Sequence, residues 1–386
     1  MIALRDPARV APDPILISSE LLFILQFFDG FHTRLDIKDQ YFKEFGTFLY
    51  EDKLDSIIKD LDEKLFLDSE YFFEYERNLQ IEFRNLKARP AMLAGNSYPA
   101  EAETLKDELT QFFTHPEGPG LPQTPAKPKQ IMGMIAPHID IKAGGVTFAH
   151  AYRALAEAEP VDLFIILGTG HNAIQKLFTC TDKNFETPLG EVQTDHDFLD
   201  QLQQRVSFDI FDEELLHKNE HTIEFQTIFL KFILNSRTNW KIVPILCSFN
   251  TAMVGKSAPT ASHIQSFLAG LKETIQQYNQ KTCIIASADL AHVGRRYGDS
   301  FEPTPGFLND LKKTDLDTMT HVEKLDLENF VRGIAADEVQ RKVCGFPPIY
   351  SLLKIIEANE GKLLHYDQAA VDTHNSTVSF ASMVFY

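Results

Sequence analysis

The chain has 386 residues, 44% of them hydrophobic, and its 55 acidic and 37 basic side chains leave a formal net charge of −18. That length suits two compact units, and that charge excludes a broad nucleic-acid interface, which needs basic stripes to displace phosphate counterions. An anionic membrane surface is disfavoured for the same reason.

No apolar run reaches the ~20 residues of a spanning helix, and the opening residues lack the apolar stretch of a secretory signal. The four cysteines, at 180, 247, 283 and 344, form no CxxC pair. A cytoplasmic protein with reduced thiols is therefore expected.

In chain order, "SSELLFILQFFDG" reads as a helix capped by Ser18 or Ser19 and closed by an Asp-Gly turn. "RLDIKDQYFKEFG" predicts a second helix ending at Gly46. Leu54, Ile57, Ile58 and Leu61 fall at helical spacing and predict a third. "LFLDSEYFFEYE" suggests two short strands about Asp68-Ser69, so residues 1–88 read as a small winged-helix-like module. With 18 acidic against 12 basic residues over positions 1–90, this module is expected to contact protein rather than DNA.

From residue 89 to 386 the pattern becomes α/β. The runs "IMGMIAP", "VDLFIILG", "WKIVPILC" and "KTCIIASA" are short, apolar and without alternation, as strands buried on both faces are. Helical stretches separate them, and "STVSFASMVFY" adds a final strand. A single mixed or mainly parallel sheet flanked by helices is predicted. In such sheets ligands collect beyond the carboxyl ends of the strands. The proline-rich tract 115–130 reads as an extended surface loop.

Three apolar runs hand over to histidines: His138 after "MIAP", His171 after "IILGTG", and His292 just after Asp289 in "SADLAHVG". If the strands are neighbours, these side chains meet on one rim of the sheet. One such histidine is more often a structural hydrogen-bonding group; three are hard to ascribe to coincidence. "NEHTIEFQ" sets Glu220, His221 and Glu224 at a helix start. It is not a zincin helix, because Glu224 stands where the second histidine is required. Cys344 precedes a glycine and a proline pair at the entry to a helix, a position that favours thiolate. The other three cysteines read as small core residues.

Residues 89–386 resemble the Memo family, whose fold is shared with the class III extradiol dioxygenases. The resemblance is carried in order by "AGNSYPA" (94–100), "APH" (136–138), "LGTGH" (167–171), "TPLGEV" (187–192), "NEHTIEFQ" (219–226), "IVPIL" (242–246), "SADLAHVG" (287–294), "VCG" (343–345) and the closing "STVSFAS". It implies a metal cleft with His138, His171 and Cys344 as ligands. It further implies His292 as acid/base with Asp289 beside it, and His221 and Glu220 as a pair near the cleft. Departures from the pattern fall at Asp140, Asn172, Val293, Phe346 and Pro347, which alter the cleft walls.

Two imidazoles and a thiolate suit a soft first-row ion, with iron or copper favoured over zinc, and binding that weakens in acid. Asp289, if bonded to an imidazole, would fix its tautomer. Two functions follow. One is a metal-dependent, dioxygenase-like oxidoreductase acting on a small molecule or peptide, which the resemblance places beside a radical-SAM partner protein in a modification pathway. The other is a non-catalytic module that binds a peptide or protein in the same cleft.

Overall fold

The computed structural model describes residues 1–6, 10–172, 174–255 and 258–386. They fall into two compact units, Met1–Asn85 and Leu86–Tyr386.

The first unit holds helices α1 (Ser19–Leu25), α2 (Arg34–Phe45), α3 (Glu51–Glu63) and α4 (Glu70–Asn85). A two-stranded antiparallel ribbon pairs Ile2–Leu4 with Ile15–Ile17. Ser18 caps α1, Thr33 and Asp36 form a reciprocal capping box on α2, and Gly46 ends α2 in the left-handed region at φ +65°. Ile24, Ile37, Tyr41, Leu49 and Leu54 form its buried centre.

The hairpin expected about Asp68-Ser69 is not formed; those residues lead into α4. The Ser69 hydroxyl accepts from the Phe72 amide at 3.1 Å and its carbonyl from Phe73 at 3.0 Å. A capped start and a Glu/Arg-rich run outweigh the strand preference of Tyr71, Phe72 and Phe73. The wing of a winged-helix module is therefore absent from residues 65–76.

The second unit is a mixed sheet of eight strands: β1 (Gly133–Ala136), β2 (Leu163–Thr169), β3 (Phe178–Cys180), β4 (Lys241–Cys247), β5 (Thr282–Ser287), β6 (Asp289–Val293), β7 (Gly361–Ala370) and β8 (Thr377–Phe385). Four neighbours, β1-β5-β2-β4, run parallel, and β3 closes one side antiparallel to β4. β8 is antiparallel to all its partners. One edge pairs with β7 throughout; the other pairs with β1 near its end and β6 near its start. β6 thus continues the line of β1, bringing Asp289 next to the residues that follow Ala136.

Helices cover both faces. Successive strand residues supply opposite cores, although hydrophobicity does not alternate. Leu163, Ile165 and Leu167 face the cluster containing α7 (His196–Gln203), α9 (Ala261–Gln277), α10 (Pro305–Glu323), α11 (Leu327–Ala335) and α12 (Phe346–Ile355). Phe164 and Ile166 face that of α5 (Ala102–Thr114), α6 (Ile141–Ala156) and α8 (Thr222–Ile233). Among the described residues no helix is long and apolar enough to cross a membrane.

Candidate metal centre

Because β1, β5 and β2 are parallel neighbours, the residues after their carboxyl ends share one rim. His138 follows β1, His171 follows β2, and Cys344 precedes α12. Gly345 allows this approach: its amide donates to the Asp289 carbonyl at 3.0 Å, and a Cβ there would collide with that same carbonyl. The donor atoms of His138, His171 and Cys344 lie within 4.8 Å of one another, and His138 Nε2 is 3.2 Å from Cys344 Sγ.

Each imidazole is fixed from behind. His138 Nδ1 donates to the Ser287 carbonyl at 3.0 Å, so Nε2 presents its lone pair toward the sulfur. His171 Nδ1 meets both Glu220 oxygens at 3.1 and 3.2 Å, and its backbone amide donates to the same carboxylate at 3.0 Å. Glu220 also lies 3.1 Å from His221 Nδ1, and the His171 and His221 rings stack at 4.9 Å. His171, Glu220 and His221 form a second group of close donors sharing His171. These tethers are the outer contacts that orient metal-binding imidazoles, and the donor set fits a soft first-row ion.

The electrostatics differ among these groups. Burial, then the neighbouring His171 and His221, hold His138 well below the ordinary imidazole range. For His171, burial opposes the charged form, but bonds to Cys344 and Glu220 outweigh it and raise its pKa well above that range. Burial pushes Glu220 up, yet its bonds to His171 and His221 prevail and hold it well below the usual carboxylate range. The Cys344 thiol is pushed up by burial, which exceeds the opposing bond to His171, so the low-pKa thiol expected at a helix entry is not found.

Asp289 does not orient a ring as expected. It accepts the His138 backbone amide at 2.9 Å, and its other oxygen is 3.6 Å from His138 Nε2. Burial raises its pKa. His292 bonds the Leu290 carbonyl through Nδ1 at 3.2 Å, and burial lowers its pKa to about 4. His138, His171, His221, Asp289, His292 and Cys344 all line one cleft of about 710 Å³. Asp140 serves as the cap of α6, accepting from the Lys142 amide at 3.0 Å, while Val293 and Phe346 are buried core residues.

Two supports lie outside the predicted site residues. Arg89, fully buried, donates to the carbonyls of His217 (2.6 Å) and Glu220 (2.8 Å) and pairs with Glu224 at 2.7 Å. Glu224 also accepts from Tyr98 Oη and from the Leu93 amide at 3.0 Å. This network fixes the segment carrying Glu220 and His221. Gln226 on α8 donates to the Pro137 carbonyl (2.8 Å) and to Ser287 Oγ (2.7 Å), joining the ends of β1 and β5.

An α/β fold with imidazole, thiol and carboxylate groups gathered beyond its parallel strands defines a class of protein whose reactive rim is built by the sheet itself. Residues 89–384 match the family described as Memo-like protein. The chain belongs to that family. A MEMO1 family protein of Aquifex aeolicus is 28% identical over 388 residues, 99% of this chain and 95% of the relative. One of Methanopyrus kandleri is 28% identical over 305 residues, 77% of this chain and 98% of its own length. One of Sulfurisphaera tokodaii is 31% identical over 270 residues, 68% and 85% of the two chains. The Aquifex match takes in the N-terminal unit.

Proposed function

We propose that this protein is a metal-dependent oxidoreductase acting on a small molecule or peptide, with His138, His171 and Cys344 as ligands. The observation that carries the reading is the convergence of two rear-tethered imidazoles and a sulfur within 4.8 Å. An iron or copper ion held there would supply one-electron chemistry and open coordination positions.

The chain's own groups have separate tasks. Glu220 orients His171 and His221. His292, neutral at pH 7, has its Nδ1 occupied by a carbonyl, leaving Nε2 to accept a proton in the cleft. Asp289 holds the backbone of His138 in place. A radical-SAM protein acting in the same modification pathway is the partner this reading carries.

The test is elemental analysis of protein purified without chelator, compared with His138→Ala, His171→Ala and Cys344→Ala, which should all lose the metal. Unchanged metal content across the three variants would end the proposal. Oxygen uptake after anaerobic Fe(II) or Cu(I) loading should fall in His292→Gln; equal uptake would remove His292 from its role.

A further inference from the structure

We propose that the cleft beside His138, His171 and Cys344 contains an oxyanion seat formed by Arg296, Tyr297 and Lys342, and that the substrate carries a carboxylate or phosphate that docks there. Its link to turnover rests on the oxidoreductase reading; the binding itself does not.

The cleft's polar groups divide cleanly. Its acids already have partners: Asp289 accepts the His138 amide, and Asp140 caps α6. The side-chain donors on the facing wall are less occupied. Among the described residues the Arg296 guanidinium has no hydrogen-bond or ion-pair partner and the Tyr297 hydroxyl has no hydrogen bond, although both residues line the cleft. Burial raises the Tyr297 phenol to about 12, so it remains an O–H donor at neutral pH. In a chain of net charge −18, a cleft wall whose unpaired side chains are a guanidinium and a phenol is matched to an anion.

The wall is also built rather than incidental. Gly294 (φ +104°) and Gly298 (φ +87°) bracket the tight turn that bears Arg296 and Tyr297. The Arg296 amide donates to Ser376 Oγ at 3.1 Å, and the Tyr297 ring packs edge-on against His292 at 4.9 Å. Asp299 accepts the Gly294 amide through one oxygen and Lys342 Nζ through the other, both at 2.8 Å. One carboxylate thus fastens the turn and brings the Lys342 ammonium to the same wall, two residues before Cys344. A planar guanidinium beside a phenol and an ammonium suits a carboxylate or a phosphate. Arg295, the preceding residue, is different: it lies 3.4 Å from Glu302 and does not line the cleft.

The experiment is calorimetric titration of the full-length, metal-free protein with malonate, inorganic phosphate and neutral malonamide at low salt. Saturable 1:1 binding of at least one anion and none of malonamide is expected, and the tighter anion names the substrate's acidic group. Arg296→Gln should weaken binding by about tenfold or more, Tyr297→Phe should weaken it less, and Arg295→Gln should leave it unchanged. Absence of saturable anion binding, or equal effects of the two arginine changes, overturns the seat. Cys344→Ala separates the two proposals: it should abolish metal binding and spare anion binding. A chain that keeps its metal in that variant refutes the metal reading while leaving the seat standing.

Discussion

The ends of β1 and β2 each present a histidine to the same sulfur, yet the two are not equivalent. His138 is buried beside the rings of His171 and His221, and burial and those neighbours hold it uncharged against the opposing pull of the Ser287 carbonyl. His171, with a side chain 39% exposed, leans on the Glu220 carboxylate and is far more basic. The difference teaches that burial and the charge of its neighbours, and not its position after a strand, set an imidazole's charge. In this site the more exposed ring is tuned by a thiol and a carboxylate, whereas the buried one is tuned by desolvation and two neighbouring imidazoles.

The largest expected effect removes the comparison altogether: His138→Ala, His171→Ala or Cys344→Ala should each abolish stoichiometric metal binding, read by elemental analysis. Arg89→Met should break only the His171 side. It strands a buried carboxylate at Glu224 and frees the Glu220 carbonyl, so chemical denaturation should report a loss of about 3–5 kcal/mol. Glu220→Gln should cost about 10–100-fold in metal affinity by removing the charged tether, measured by competition with a chelator.

Acid sharpens the contrast between tethered and buried rings. His217, buried against the Thr179 carbonyl, has a pKa lowered from 6.5 to about 3 by desolvation. The unfolded chain therefore takes up this proton below about pH 6.5 while the folded chain resists it, so stability is present above that pH. It should fall by about 1.4 kcal/mol per pH unit down to about pH 3. His217→Gln should flatten that slope in denaturation curves of the metal-free protein. The smallest effect is that of Ser287→Ala, which removes a hydroxyl but keeps the carbonyl behind His138. It should cost about 1 kcal/mol of stability and leave metal affinity unchanged.

The sheet was legible because fully buried parallel strands are written as short continuous apolar runs, and β1, β2, β4 and β5 all obey that rule. His138 and His171 were legible because each follows such a run directly. Tyr71–Phe73 misled because aromatic side chains favour strands only where a second strand is present to pair with them, and the Ser69 cap acts first. Arg89 had no signature at all, and Gln226 closes a quoted motif whose spacing does not point to its partners. Many of their partners are backbone carbonyls brought close by tertiary folding, and main-chain atoms leave no trace in residue spacing. The direction of the Cys344 shift likewise depends on how much of the sulfur's surroundings is protein, which local sequence does not state.

β8 occupies an interior place in the sheet although it follows every strand it borders in the chain. Its nine buried residues border β1, β6 and β7 at once. During translation, β1 and β6 therefore leave the ribosome with an unfilled gap beside them, and the strand bearing Asp289 and His292 has no strand partner until residues 377–385 emerge. The rim is thus completed only after residues 377–385 have been made, which delays any reactive arrangement of sulfur and imidazoles until every strand that encloses it is available.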